Sequence, residues 1–185
     1  MKKFIATLES ISPYSQSRHH ITSKLEKESA DDYEKRTWRE KVNSTPDGYI
    51  CIPSMAFKNC LSEVAKYLSI KKPGKGKETY TKHFEAGILV VDGLTLPGKK
   101  EEVQGEWYHV PSDGKRGGGK RVMKCFPVIP HWKGDVLFHV PDETITLSVF
   151  QQHLKEAGNF IGIGRFRPRN NGFYGRFKVL HIKEV

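Results

Sequence analysis

The chain has 185 residues, with 31 Lys and Arg against 21 Asp and Glu, a formal net charge of +10. With 37% hydrophobic and 28% charged residues it has the composition of one globular domain over 1–185, and no apolar run approaches the ~18 residues of a membrane span. Cys51, Cys60 and Cys125 form neither an even framework nor a CxxC pair, and the basic N-terminus breaks off at Glu9, too soon for a secretory segment; this argues against a disulfide scaffold, a structural zinc site and export, and fits a reducing cytoplasm.

Lys2 to Ile11 alternates, with Phe4, Ala6 and Leu8 on one face and Ile5, Thr7 and Ile11 on the other. It predicts a strand buried on much of both sides and ended by Pro13. Residues 14–48 are polar and rich in both charge signs. Lys24 to Val42 has some helical character, but its large apolar residues are few (Leu25, Tyr33, Trp38, Val42), so the segment reads as an insertion outside the main core. Tyr49 to Ile52 predicts a short strand between the Asp47-Gly48 turn and Pro53. Ser54 reads as an N-cap, and Phe57, Leu61, Val64, Ala65 and Leu68 recur at the spacing of a helix with one apolar face.

Lys71 to Lys77 predicts a basic loop, and Ala86 to Val91 a short apolar strand. Residues 92–120, rich in Gly, Pro and charge around a strand at Glu106 to Val110, predict an inserted hairpin or arm. Val122 to Ile129 and Asp135 to Val140 are strand-like. Thr146 reads as the N-cap of a second helix with Val149, Phe150, His153, Leu154 and Ala157 as its buried stripe and Gly158 as its stop. The last strand is expected from Phe173 to Ile182. The order of strand, helix, strands, helix, strand predicts an α+β domain with a ferredoxin-like βαββαβ core and long polar insertions, at about 14–48 and 92–120.

The charge is concentrated. Residues 111–125 hold Lys115, Arg116, Lys120, Arg121 and Lys124 against Asp113 alone, and residues 158–178 hold Arg165, Arg167, Arg169, Arg176 and Lys178 with no acid. These two stretches carry +9 of the +10. Both are rich in glycine and one is interleaved with aromatic residues, which points to a polyanion. Gly162 and Gly164 allow close backbone approach, and Pro168 and Asn170-Asn171-Gly172 enforce turns. The loop is expected to expose backbone N–H groups, to aim Arg165, Arg167 and Arg169 outward at phosphates, and to offer Phe166, Phe173 and Tyr174 for stacking, with at least one ring in the core.

Two nucleotide-binding matches fail. Gly162 and Gly164 give GxG, but position 167 is Arg. Gly114 to Lys120 satisfies GxxxxGK, but Arg121 stands where the metal-holding Ser or Thr belongs. Ser17-Arg18-His19-His20 follows the first strand; adjacent imidazoles near an Arg suit either RNA contact or, as the enzymatic alternative, acid and base in metal-independent RNA cleavage. No metal and no cofactor are expected. Lys58 stands in a helix's first turn, where a cation gains nothing from the dipole, so a bound anion would explain it.

The run Ile52-Pro53-Ser54-Met55-Ala56-Phe57-Lys58-Asn59-Cys60-Leu61 is similar to the I-P-G-S-S-L-K-G-x-L-R helix start of the RAMP superfamily of CRISPR-associated RNA-binding proteins. Asn59 stands where that motif has Gly, and Met55-Ala56 where it has paired Ser. The stretch from Gly162 to Phe177 resembles the family's C-terminal glycine-rich loop. The resemblance implies a ferredoxin-like, RRM-related fold and a non-catalytic subunit binding single-stranded RNA, such as a CRISPR guide. Its partners would be other subunits or copies of itself, with no membrane. It carries Lys58 over as a phosphate-facing residue, Gly162, Gly164, Gly172 and Gly175 as the loop glycines, and 98–124 as a thumb-like hairpin. A stand-alone relative of a phage or mobile element, mimicking a subunit to inhibit a CRISPR complex, is the further alternative. The expected RNA contacts are Arg18, His19, His20, Lys58, Lys115, Arg116, Lys120, Arg121, Lys124, Gly162, Gly164, Arg165, Phe166, Arg167, Arg169, Tyr174 and Arg176.

Overall fold

The computed structural model describes residues 1–112, 117 and 119–185. Its strands are β1 (Lys2–Ser10), β2 (Tyr14–Ser15), β3 (Tyr49–Ile52), β4 (Leu94–Lys99), β5 (Gln104–Pro111), β6 (Arg121–Ile129), β7 (Lys133–Val140) and β8 (Phe177–Glu184). Its α-helices are α1 (Ala30–Thr37), α2 (Ser54–Leu68), α3 (Thr81–Ala86) and α4 (Leu147–Glu156).

Alternation in β1 gives it one fully covered face. Phe4, Ala6 and Leu8 are buried, whereas Ile5 and Thr7 keep partial exposure, so the expected two-sided burial is only half realised. β1 lies between β7 and β8, antiparallel to both. The apolar stripe of α2 (Phe57, Cys60, Leu61, Val64, Ala65) and that of α4 (Phe150, His153, Leu154) belong to the buried interior. Phe150 stands 4.9 Å from the Phe4 ring and 5.0 Å from Phe138, tying α4 to two strands. Truncating such a ring to Ala costs about 3–5 kcal/mol.

The strand expected from Ala86 to Val91 is reduced to one residue. Thr81–Ala86 forms α3, and only Leu89 pairs, exchanging two hydrogen bonds with His139 at 2.8 and 2.9 Å. Leu89 thereby takes the edge beside β7, and the order β8, β1, β7, Leu89 is that of a ferredoxin-like α+β sheet.

Two helix ends also differ from expectation. Helix α2 starts at Ser54 itself, with extended Pro53 in the cap position and no side-chain cap. Thr146 does cap α4, accepting from the Val149 N–H, but Gly158 does not stop it. The helix continues as a π-turn through Ala157–Ile161 and ends at Gly162, whose φ of 69° suits glycine. The last strand accordingly starts at Phe177, later than expected.

The polar insertions build a second layer. β5 and β6 pair from Gln104↔Val128 to Pro111↔Arg121, and β2 joins β6 on its other side. A hairpin is therefore present, but its return strand is β6, beyond the expected insertion and expected instead as a strand of the core sheet, while Lys115, Arg116 and part of the GxxxxGK match lie outside the described residues. A Cβ on Gly105 would lie 2.9 Å from the Trp38 ring and 2.5 Å from Cys125 Sγ, so glycine lets the α1 region pack onto the hairpin. Val42 alone of the four apolar residues named in that insertion enters the main core. Among the described residues no helix is long and apolar enough to cross a membrane.

Candidate nucleic-acid interface

The glycine-rich loop is folded on itself. Ile163 N–H donates to Gly175 O, Tyr174 N–H to Phe166 O and Gly172 N–H to Arg167 O, each at 3.0 Å, while Arg165 N–H reaches Ser15 O and Gly175 N–H reaches Pro13 O, both at 2.8 Å. The expectation of free amides is corrected for these positions, because the loop needs them to hold its shape. Glycine is demanded at two of its turns: a Cβ on Gly175 would lie 1.8 Å from Ile163 O, and one on Gly172 1.8 Å from Phe166 O.

Arg165 is the centre of the site. Its guanidinium carbon lies 3.1 Å from the Phe126 ring centroid and 4.1 Å from that of Phe166. Burial pulls its pKa down to about 10, with Tyr108 and Tyr174 opposing. Nη1 is buried with no hydrogen-bond partner among the described residues. The expectation of an outward Arg165 is therefore corrected: the aromatic rings draw it inward. Beside it, the hydroxyls of Tyr108 and Tyr174 bond each other and Glu106, joining the hairpin to the loop. Burial, then the Glu106 contact, pushes the Tyr174 hydroxyl well above the usual range, so it donates. Tyr174 is the loop ring that turns inward; Phe166 and Phe173 stay exposed at 40% and 64%.

Lys41 Nζ lies 4.6 Å from the same Phe126 ring. Lys41 also lines a cleft of ≈ 340 Å³ with Ser17, Arg18, His19 and His20. His20 stacks at 6.2 Å on Tyr33, and its Nδ1 is buried with no hydrogen-bond partner among the described residues. The structure thus brings Arg18, His19 and His20 into line with Arg165 through Lys41 and Phe126. Lys124 belongs to the same region, but its Nζ is paired with Glu34 at 2.9 Å.

The remaining predicted residues are placed elsewhere or differently engaged. Lys58 Nζ donates to Phe84 O at 2.9 Å, Glu85 O at 2.7 Å and Ser62 Oγ at 2.9 Å. It caps the C-terminal end of α3, where the carbonyl dipoles favour a cation, and this explains a Lys in the first turn of α2 without a bound anion. Arg167 pairs with Glu63 at 2.7 Å, and Arg169 lies exposed over Tyr67 at 5.8 Å. Arg176 donates to Asn159 O, and Arg121 to His109 O at 3.3 Å. Lys120 is exposed near the hairpin end. Gly162 and Gly164 have φ of 69° and 80°; a Cβ on Gly164 would lie 2.2 Å from Ser15 O, so it is the loop's close approach to β2. No group of His, Cys, Asp and Glu able to hold a metal occurs among the described residues.

Sequence reasoning missed Phe126, Glu106, Tyr108 and Lys41. Glu106 and Tyr108 are two apart on one strand and so share a face, which was readable. Nothing local to Phe126 or Lys41 announces their Arg165 and Glu34 neighbours.

No protein-family model matches the sequence, and no curated protein sequence matches it. Solved structures do. A type III-B Cmr-beta assembly bound to cognate target RNA, seen by cryo-electron microscopy, contains a chain that superposes with a TM-score of 0.59 at 11% identity; the match covers 100% of this chain and 60% of that one. The crystal structure of Cmr6 from Pyrococcus furiosus superposes with a TM-score of 0.50 at 15% identity, covering 96% of this chain and 97% of that one. At these identities the likeness is one of fold, and it bears out the ferredoxin-like α+β architecture.

Proposed function

We propose that this chain binds single-stranded RNA without cleaving it, as a subunit of a CRISPR-type ribonucleoprotein, with its interface where the β5–β6 hairpin meets the glycine-rich loop. The observation that carries this reading is Arg165. A half-buried guanidinium set against two aromatic rings, with no carboxylate paired to it among the described residues, carries an uncompensated charge that an anion at its exposed side would neutralise. A phosphate oxygen supplies the charge and the acceptor, and exposed Phe166 offers a face to the adjoining base. The acid-free loop and the Arg18–His19–His20 cleft extend the cationic surface to either side. Support also comes from the fold neighbours, a chain of a type III-B Cmr-beta assembly bound to cognate target RNA and Cmr6 from Pyrococcus furiosus.

Filter binding of single-stranded RNA across a salt series tests this. If about five phosphates are neutralised, log K against log salt falls with a slope of roughly −3.5. The RNA remains intact over the incubation in EDTA. A slope near zero, or products ending in a 2′,3′-cyclic phosphate, overturns the reading.

A further inference from the structure

Two large rings lie half exposed on the opposite flank of the loop, at positions that play no part in the core. Tyr67, in the last turn of α2, is 52% exposed, and Phe160, in the π-turn after α4, is 46% exposed. Their centroids are 5.5 Å apart with the planes tilted by 33°. A single exposed ring is ordinary, but two set together form a patch that asks for a partner.

The way each ring is held is specific. Glu63 and Tyr67 are four residues apart on α2 and therefore on one face. The glycine-rich loop is laid along that face: Arg167 pairs with Glu63 at 2.7 Å, and the Arg169 guanidinium lies 5.8 Å from the Tyr67 centroid. Phe160 is brought alongside by the π-turn, in which Ala157, Gly158 and Ile161 stay buried while Phe160 faces out. The turn itself depends on Gly158, whose Cβ would lie 2.0 Å from Phe177 O. Such π-bulges recur where a side chain must be aimed for function.

We infer that Tyr67 and Phe160 form a stacking platform for one unpaired base, with Arg169 holding an adjoining phosphate. The inference rests on the RNA-binding reading and extends it to a second contact on the far side of the loop. The charge argues for this occupant through one residue: Arg169, the cation beside the rings, is exposed, while Arg167 is already paired with Glu63. Aromatic faces beside an exposed guanidinium suit a base joined to a phosphate, since every base has a face to stack and a neighbouring charge to place.

The test uses the full chain and a short single-stranded RNA carrying one 2-aminopurine, moved along the sequence. On binding, its fluorescence is expected to be quenched at a position that Tyr67→Ala with Phe160→Ala abolishes. The same pair lowers affinity roughly 5- to 150-fold, the loss expected for one stacked base. The salt slope stays unchanged, because no cation is removed. Tyr67→Phe preserves quenching and affinity, and a thermal melt of each variant verifies folding. If the parent binds RNA but the double variant binds within about twofold of it, or keeps the quenching, the platform is overturned while the RNA reading stands. If the variant changes only self-association, the patch is a protein contact and the inference fails. Absence of RNA binding by the parent overturns both.

Discussion

Glu34 on α1 accepts the backbone N–H of Cys125 on β6 at 2.9 Å, so a charged insertion is hydrogen-bonded into the middle of the hairpin. The same carboxylate bonds Lys41 and receives Lys124 at 2.9 Å, and Lys41 returns a hydrogen bond to Cys125 O at 2.9 Å. Glu34 is 1% exposed and Lys41 8%. Burial alone would raise the Glu34 carboxyl, but hydrogen bonds from Lys41, Lys124 and the Cys125 N–H hold it below its ordinary value. The network fixes the hairpin base on which Arg165 lies.

Removing one partner of a buried network leaves a charge without compensation, which costs about 3–5 kcal/mol. Glu34→Ala is therefore expected to lose that much in urea unfolding. Glu34→Leu with Lys41→Met, which removes both buried charges, should recover a large part of it. Equal losses in the single and double variants would show that the network is not what holds α1 to the hairpin.

The glycine-rich loop gives a sharper contrast. A Cβ on Gly175 meets the Ile163 carbonyl at 1.8 Å, whereas one on Gly74 meets nothing within 4 Å, although both residues have positive φ, 78° and 70°. Gly74→Ala should cost about 1–2 kcal/mol, the left-handed conformation alone. Gly175→Ala must also open the loop, so its melting temperature should fall further and RNA affinity with it. Identical effects of the two substitutions would refute the close-approach argument.

Much of this architecture was legible because it is written in short-range patterns. Tyr49–Ile52, the stripe from Phe57 to Leu68 and the Thr146 cap all depend on residues within a few positions of one another. What stayed hidden depends on distant partners. Lys58 suggested an anion until Phe84 and Glu85 carbonyls, 26 and 27 residues on, proved to be its acceptors. Arg165 was expected to point outward because Phe126, 39 positions earlier, leaves no mark on the loop's own sequence. The strand expected at Ala86 to Val91 failed for a similar reason: its first residue ends a helix that Lys58 caps from α2.

His83 supplies a pH dependence that composition could not reveal. Its Nε2 lies 3.0 Å from Glu78 and its Nδ1 2.5 Å from Asp142, so α3 is clamped to the loop after β7. The Glu78 contact first, then Asp142, raises the imidazole pKa against a smaller penalty from burial. Lys72, then His83, holds Glu78 down to about 2, so that carboxylate stays ionised throughout the window. A group whose folded pKa exceeds its unfolded value of about 6.5 stabilises fully below that value. The contribution is lost as pH rises through the folded pKa. The melting-temperature difference between the parent and His83→Gln should therefore be largest near pH 6 and shrink as pH rises above it. A difference that grows with pH would contradict the clamp.

Arg165 separates stability from binding. Its buried Nη1 has no acceptor among the described residues, and burial lowers its pKa to about 10 rather than a carboxylate raising it. Among structural ion pairs the opposite is usual, so an arginine that only stabilised the fold would lose stability on replacement. Arg165→Met keeps a long apolar stem between Phe126 and Phe166 but removes the unmatched charge. Urea unfolding should then show a midpoint equal to or above that of the parent. RNA affinity should fall by about 1.5–3 kcal/mol, the range for a hydrogen bond to a charged group, and the salt slope should weaken by roughly 0.7. Arg165→Lys should rescue little, because an ammonium lacks the flat guanidinium face that lies over the Phe126 ring. A variant that loses stability while binding RNA as the parent does would make Arg165 a structural residue, and the hairpin–loop junction would no longer be the interface.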